Sequence, residues 1–117
     1  MTLITHAYVP GPVGSMRELA AEPPRNHLAG PERWRSKVYG SDTARALGLT
    51  LLPTLISQDI YAEGEELDVL EREVEVLLGN TGRWPAIGLD ELRFRLLNIL
   101  EAIRLARTDA HGGVYIG

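Results

Sequence analysis

The chain has 117 residues, no cysteine and a formal net charge of -4, with 44% hydrophobic and 24% charged residues. This length and balance are typical of one folded domain and exclude a disordered tail or a fibrous repeat. The absence of cysteine excludes a disulfide framework and a thiolate metal site, and the acidic balance disfavours binding to nucleic-acid phosphates.

The first part of the chain is predicted to contain one strand followed by a long loop. Leu3–Val9 is rich in β-branched and aromatic residues and stops at the turn sequence Pro10–Pro12, so it is predicted as the first strand. Prolines and glycines recur from there to Pro31, which predicts loop, with one or two helical turns over Ser15–Ala21.

The next segment is predicted to contain a short strand and a brief helix. Trp34–Tyr39 has the composition of an extended piece. After it, Ser41 or Asp42 can cap a helix that runs through Leu47 and is closed by Gly48.

Two further strand-like pieces complete residues 1–62. Leu49–Ser57 is apolar and β-prone, but Pro53 lacks the amide proton that a central strand needs, so an edge position is expected. Asp59–Tyr61 is predicted as another short paired piece.

Residues 63–117 are predicted to form a helical hairpin and a final strand. Apolar residues recur at alternating steps of three and four, which places them on one face of each of two helices, over Glu65–Leu78 and from Leu89 to about Thr108. The glycine-rich connection of residues 79–88 is long enough to reverse the chain, and Val114–Ile116 is predicted to join the sheet begun at Leu3.

These elements predict a single α+β domain over residues 1–117. The expected architecture is a small, mainly antiparallel sheet of three or four strands covered by the C-terminal antiparallel helical hairpin. Neither a signal peptide nor a membrane-spanning apolar run is found in the sequence, so a soluble cytoplasmic protein is expected.

No motif in the sequence predicts catalysis. Gly11–Arg17 lacks the lysine of a phosphate-binding loop and the third glycine of a dinucleotide turn. His6, His27 and His111 lack metal-ligand spacing. We therefore predict no catalytic residue, no cofactor and no metal ligand.

Charge is concentrated in one helix, because seven of the sixteen acidic residues lie within Glu63–Glu75. A negative surface of this kind accelerates the approach of a basic partner. A neighbouring loop holds an aromatic residue that either folds onto the core or stays exposed as an interface anchor. The predicted partner-binding residues are Glu65, Glu66, Asp68, Glu71, Glu73, Glu75 and Trp84.

The sequence therefore favours a non-enzymatic protein-binding domain whose acidic helix meets a basic protein, as an inhibitor or immunity protein of a toxin would. One alternative is a small enzyme or ligand-binding domain with a pocket near His6, His111 and Tyr115. Another is a structural module that forms homodimers through an apolar margin around Phe94, Leu97 and Leu105. Neither nucleic acid nor a membrane is expected as a partner.

Overall fold

The computed structural model describes residues 1–117 and has an α+β fold, as predicted, with five strands and three α-helices. The strands are β1 (Thr2–Pro10), β2 (Met16–Leu19), β3 (Leu28–Pro31), β4 (Ile60–Glu63) and β5 (Gly113–Ile116). The helices are α1 (Asp42–Ala46), α2 (Glu65–Leu78) and α3 (Leu89–Ala106). Short 3-10 segments lie at Pro12–Gly14, Leu52–Ile56 and Thr81–Arg83, and one π-helical turn lies at Arg35–Tyr39. None of the helices is both long enough and apolar enough to cross a bilayer.

All strand pairs are antiparallel, and β1 is the organising strand because it is paired along both edges. One edge pairs with β5, which in turn pairs with β4. The other edge is shared, since β3 pairs with residues 2–4 of β1 and β2 pairs with residues 7–10. The predicted pairing of the last strand with the first is confirmed.

One face of this sheet forms the hydrophobic core with the helices. Side chains alternate along a strand, so the register Ala7, Val114, Ala62 aligns three buried residues on the same face. We call this the core face. Helix α3 packs on β1, β3 and β5, and α2 packs on α3 and β4. Leu70 and Leu96 are fully buried, so the predicted burial of the two helical stripes is confirmed except at Leu89, the first residue of the second stripe, which is 56% exposed.

The helix boundaries agree closely with the predictions. Helix α2 spans the predicted Glu65–Leu78, and α3 ends at Ala106, two residues before the predicted Thr108. The predicted cap of α1 is also present, because the side-chain oxygen of Ser41 accepts a hydrogen bond from the Ala44 amide at 3.1 Å. These ends depend on local sequence, which is why they could be predicted.

The sheet has five strands rather than three or four, because two segments predicted as helical or as loop are paired. Ser15–Ala21 was expected to be helical, yet Met16–Leu19 pairs with β1 as β2. β3 lies in the proline-rich region predicted as loop. It is held by α3, since the Asn98 side chain donates to the Leu28 carbonyl at 2.9 Å and accepts from the Asn26 amide at 3.0 Å.

Two segments predicted as strands are helical turns. Trp34–Tyr39 contains the π-helical turn Arg35–Tyr39, and the buried residues Trp34, Val38 and Tyr39 have helical spacing. Leu49–Ser57 contains the 3-10 turn Leu52–Ile56, in which Pro53 occupies a first-turn position where its missing amide proton costs nothing. The predicted strand at Asp59–Tyr61 is confirmed as β4, although it begins at Ile60 and extends to Glu63.

Candidate functional site

The sheet face opposite the core face carries aromatic and acidic side chains. Burial varies across this face, since Tyr61 is 54% exposed whereas Tyr8 is 2% exposed, although neither belongs to the cluster that the helices cover. We call this surface the open face; its central residues are His6, Tyr8, Tyr61, Glu63 and Tyr115.

Strand register brings these residues together from distant parts of the chain. His6 lies opposite Tyr115, and Tyr115 lies opposite Tyr61. Their ring centroids are 5.1 Å and 5.0 Å apart, respectively. Aromatic pairs at such distances add stability beyond the area that they bury, so the three rings form one continuous row across the sheet.

A second row of neighbours across the sheet joins Tyr8 to Glu63 and depends on Gly113 between them. Tyr8 lies opposite Gly113, which lies opposite Glu63. A Cβ atom on Gly113 would come within 2.5 Å of the Tyr8 hydroxyl oxygen. Without it, the Tyr8 ring crosses β5 and its hydroxyl donates a hydrogen bond to the Glu63 carboxylate. Gly113 therefore allows a side-chain contact between β1 and β4, which are not neighbours in the sheet.

The tyrosine hydroxyls are fixed as donors to carboxylates. Burial and the hydrogen bond to Glu63 raise the pKa of Tyr8 well above its usual range. The Tyr115 hydroxyl donates to Asp59 at 2.9 Å, and burial followed by this bond raises the pKa of Tyr115 to about 12. Both phenols are thus protonated at neutral pH and serve as hydrogen-bond donors.

Asp59 also anchors the open face to the π-helical turn. Arg35 donates to the Asp59 carboxylate at 2.8 Å and to the Leu55 carbonyl at 2.9 Å. The hydrogen bond from Arg35, and then that from Tyr115, lowers the pKa of Asp59 below its ordinary value. One arginine therefore connects three separate segments at this end of the row.

Acidic side chains continue from the open face onto the first turn of α2. Glu63, Glu65 and Glu66 are exposed and form no ion pair. We call these three residues the acidic cluster. Glu66 also contributes, after burial, Glu63 and Tyr61, to raising the pKa of Tyr8. Because Glu63 belongs to both, the acidic cluster and the open face are one connected surface.

The rest of the predicted acidic surface is largely occupied within the protein. Arg107 pairs with Asp68 at 2.6 Å and with Glu71 at 2.9 Å. Glu75 is exposed and forms no ion pair. The unpaired negative charge of α2 is thus found mainly at its first turn and at Glu75.

Glu73 departs from the expectation of a solvated face, because it is only 3% exposed. Its carboxylate accepts hydrogen bonds from the amides of Thr50, Leu51 and Leu52 at 2.8 to 3.1 Å. These amides begin the 3-10 turn, so Glu73 acts as its anionic cap. Glu73 lies three residues after Leu70 and four before Leu77, and this helical spacing is a sequence signal for the buried face.

Trp84 was predicted to belong to the acidic interface, but the structure places it elsewhere. It is 8% exposed and donates its indole N–H to the Lys37 carbonyl at 2.9 Å, so it is an anchor of the fold. Arg33, Lys37 and Arg83 surround the part that remains accessible. Trp84 therefore does not extend a negative surface toward a basic partner.

The structure does not bring His6, His111 and Tyr115 together in one pocket, as the alternative prediction required. His6 and Tyr115 are neighbours on the open face, whereas His111 lies in an exposed depression beside Glu63. His6 also lines a cavity of about 120 Å³ together with Thr5, on the edge of β1 between β2 and β3. This volume is below the roughly 300 Å³ at which small-molecule sites usually begin.

No group of three or more histidine, aspartate or glutamate side chains is arranged to hold a metal ion.

The apolar margin suggested as a homodimer contact is partly covered by cations. Arg25 lies 5.0 Å and Arg95 5.8 Å from the centre of the Phe94 ring. Leu105 packs against the core and is half-buried. Leu97 is likewise half-buried and lines a shallow depression with Arg25.

Sequence reasoning missed Tyr8, Tyr61 and Asp59 as members of this site. A period-two signal was present, since His6 and Tyr8 alternate with apolar residues in β1. The signal does not show which face the helices cover, nor that β4 and β1 flank the same strand.

Comparison with known proteins finds no matching family model, and neither a curated protein nor a solved structure matches the chain.

Proposed function

We propose that this chain is a non-enzymatic protein-binding domain that uses the open face and the acidic cluster to bind a basic surface of another protein. The observation that carries the proposal is the aromatic row, which lies on a sheet face outside the hydrophobic core. Tyrosine is enriched at protein interfaces because its ring buries a large area while its hydroxyl retains a hydrogen bond.

The composition of the surface supports a basic partner. Tyr61 supplies an exposed ring at the end of the row, and Glu63, Glu65 and Glu66 supply unpaired negative charge next to it. An aromatic centre with a charged rim is the usual arrangement of interface residues that dominate binding energy. Carboxylates on the rim also raise the association rate with a cationic surface at low salt.

The face is pre-organised for binding. Tyr8 and Tyr115 are each held by a carboxylate, and Asp59 is in turn held by Arg35. Side chains already fixed in this way lose little further conformational freedom when a partner binds. An inhibitor or immunity protein that occupies the basic, phosphate-binding groove of a toxin is one role that suits this surface.

The proposal is tested by affinity capture from cells of the source organism with quantitative mass spectrometry. Two charge variants are compared with the parent protein: Glu65→Gln with Glu66→Gln in the acidic cluster, and Glu75→Gln with Asp90→Asn as a matched control. All four positions are exposed and form no ion pair, so both variants remove two charges without breaking a contact. Tyr61→Ala tests the aromatic row separately.

We expect a basic protein that the parent and the control retain equally. The acidic-cluster variant and Tyr61→Ala should each weaken its binding about tenfold, the size expected for a central interface residue. Retention of the same partner by both charge variants and by Tyr61→Ala would contradict the proposal. Capture of acidic proteins alone, or of none, would contradict it as well.

A further inference from the structure

A second surface, of opposite charge, lies between the π-helical turn and the connection from α2 to α3. It is a groove of about 420 Å³, within the size range of ligand sites. Its uncharged lining, which we call the floor, is made of Trp34, Trp84, Pro85, Ala86 and Ile87, and its charged lining is made of Arg33, Lys37 and Arg83. We call these eight residues the basic groove.

Both tryptophan rings of the floor are held by contacts within the fold. Trp34 is 2% exposed and packs edge-on against Tyr39, with ring centroids 6.2 Å apart. Trp84 is tied across the groove by its hydrogen bond to the Lys37 carbonyl. A Cβ atom on Gly30 would come within 2.3 Å of the Trp34 ring, so the ring lies directly against the β3 backbone. A ligand therefore meets a preformed site.

The positive charge of the groove is uncompensated. Arg33, Lys37 and Arg83 are all exposed, and none of them forms an ion pair. No acidic residue lines the groove. Three unpaired cations are thus grouped around an apolar floor in a chain whose net charge is -4.

From this charge complementarity we propose that the basic groove binds an acidic segment of a partner protein. An apolar side chain of that segment occupies the floor, and carboxylates on either side of it pair with the three cations. A single-stranded nucleic acid fits less well, because base stacking needs exposed ring faces and both indoles are buried. The site is independent of the open face, which takes a partner of the opposite charge.

The two tryptophans of the chain both lie in the groove, so intrinsic fluorescence reports its occupancy directly. The probes are four synthetic decapeptides without tryptophan, each with a central Leu, Ile, Phe or Met between aspartates and glutamates. Matched control peptides carry asparagine and glutamine in place of the acids. We expect a saturable change in emission with at least one acidic peptide and none with its control. Added salt should weaken the binding, because exposed charges are screened.

A charge-matched pair of variants locates the site. Arg33→Gln, Lys37→Gln and Arg83→Gln together should weaken peptide binding about tenfold, since exposed ion pairs each contribute modestly. Arg17→Gln, Arg72→Gln and Arg93→Gln remove the same charge from exposed, unpaired positions elsewhere and should leave binding within about twofold. Urea unfolding of both variants verifies that they are folded.

Several outcomes would overturn the proposal. These are the absence of saturable binding with all four acidic peptides, equal binding of the control peptides, or equal weakening by the two triple variants. Tighter binding of oligothymidylate than of any peptide would overturn it in favour of a nucleic-acid site. The comparison of acidic with control peptides uses the parent protein alone, so it holds even if a variant does not fold.

Discussion

Replacing the buried carboxylate of Glu73 is the most direct test of how the fold is held between α2 and the 3-10 turn. Glu73→Ala removes the acceptor for the amides of Thr50, Leu51 and Leu52. Leu52 is fully buried, so its amide cannot recover a hydrogen bond from water. The variant therefore leaves at least one backbone donor unsatisfied within the core.

The expected loss follows from the burial of each donor. A hydrogen bond to a charged acceptor contributes about 1.5 to 3 kcal/mol, and an orphaned buried amide costs a similar amount. The Leu52 amide should bear the full cost and the half-buried Leu51 part of it, whereas the exposed Thr50 can bond to water. We expect Glu73→Ala to lower the free energy of unfolding by about 4 kcal/mol, a large share of a typical total.

Urea unfolding followed by tryptophan emission measures this change, because both tryptophans are buried in the folded protein. Glu73→Gln keeps one carbonyl oxygen for the Leu52 amide and should lose about 2 kcal/mol. Glu75→Ala, two residues away and exposed, should stay within about 0.5 kcal/mol of the parent. If Glu73→Ala and Glu75→Ala unfold at the same urea concentration, the anionic cap is not what holds the turn.

Two further predictions concern the open face. Gly113→Ala should lower the free energy of unfolding by about 1 to 3 kcal/mol, because the added methyl group overlaps the Tyr8 ring. The control Gly82→Ala has no neighbour within 4 Å and should be nearly neutral, so equal effects of the two would refute the close approach. The pKa of Asp59 lies below its ordinary value of 3.8, and the first cause is the hydrogen bond from Arg35. The ionised carboxylate therefore stabilises the fold above pH 3.8, and this stabilisation is lost as the pH falls through the lowered pKa. The unfolding free energies of the parent and of Asp59→Asn should therefore differ at about pH 7 and approach each other as the pH falls below 3.8, and a difference that does not shrink in acid would contradict this assignment.

The two proposed surfaces carry opposite charge on one small domain. The open face with its acidic cluster is negative, and the basic groove holds three unpaired cations. Separation of charge in this way allows two partners of different chemistry to be recognised without competition. The net charge of -4 gives no indication of it, because the two surfaces partly cancel in the sum.

Local sequence determined the parts of this fold whose causes are local. The three-four spacing of apolar residues predicted α2 and α3, and the Ser41 cap predicted α1. These features depend on residues within one or two turns of each other, so no tertiary information is needed to identify them. The acidity of α2 was likewise visible in the sequence, but which of its carboxylates are exposed and unpaired was not, since Glu73 is buried and Asp68 and Glu71 pair with Arg107.

Tertiary structure alone decided which side chains meet. Tyr8 and Glu63 are 55 positions apart and come together only because β1 and β4 flank β5 across Gly113. The same applies to Met16–Leu19, where pairing with β1 outweighs a weak helical tendency. Long-range hydrogen bonds and burial select among conformations that local preference leaves nearly equal in energy. The open face and the basic groove are products of that selection.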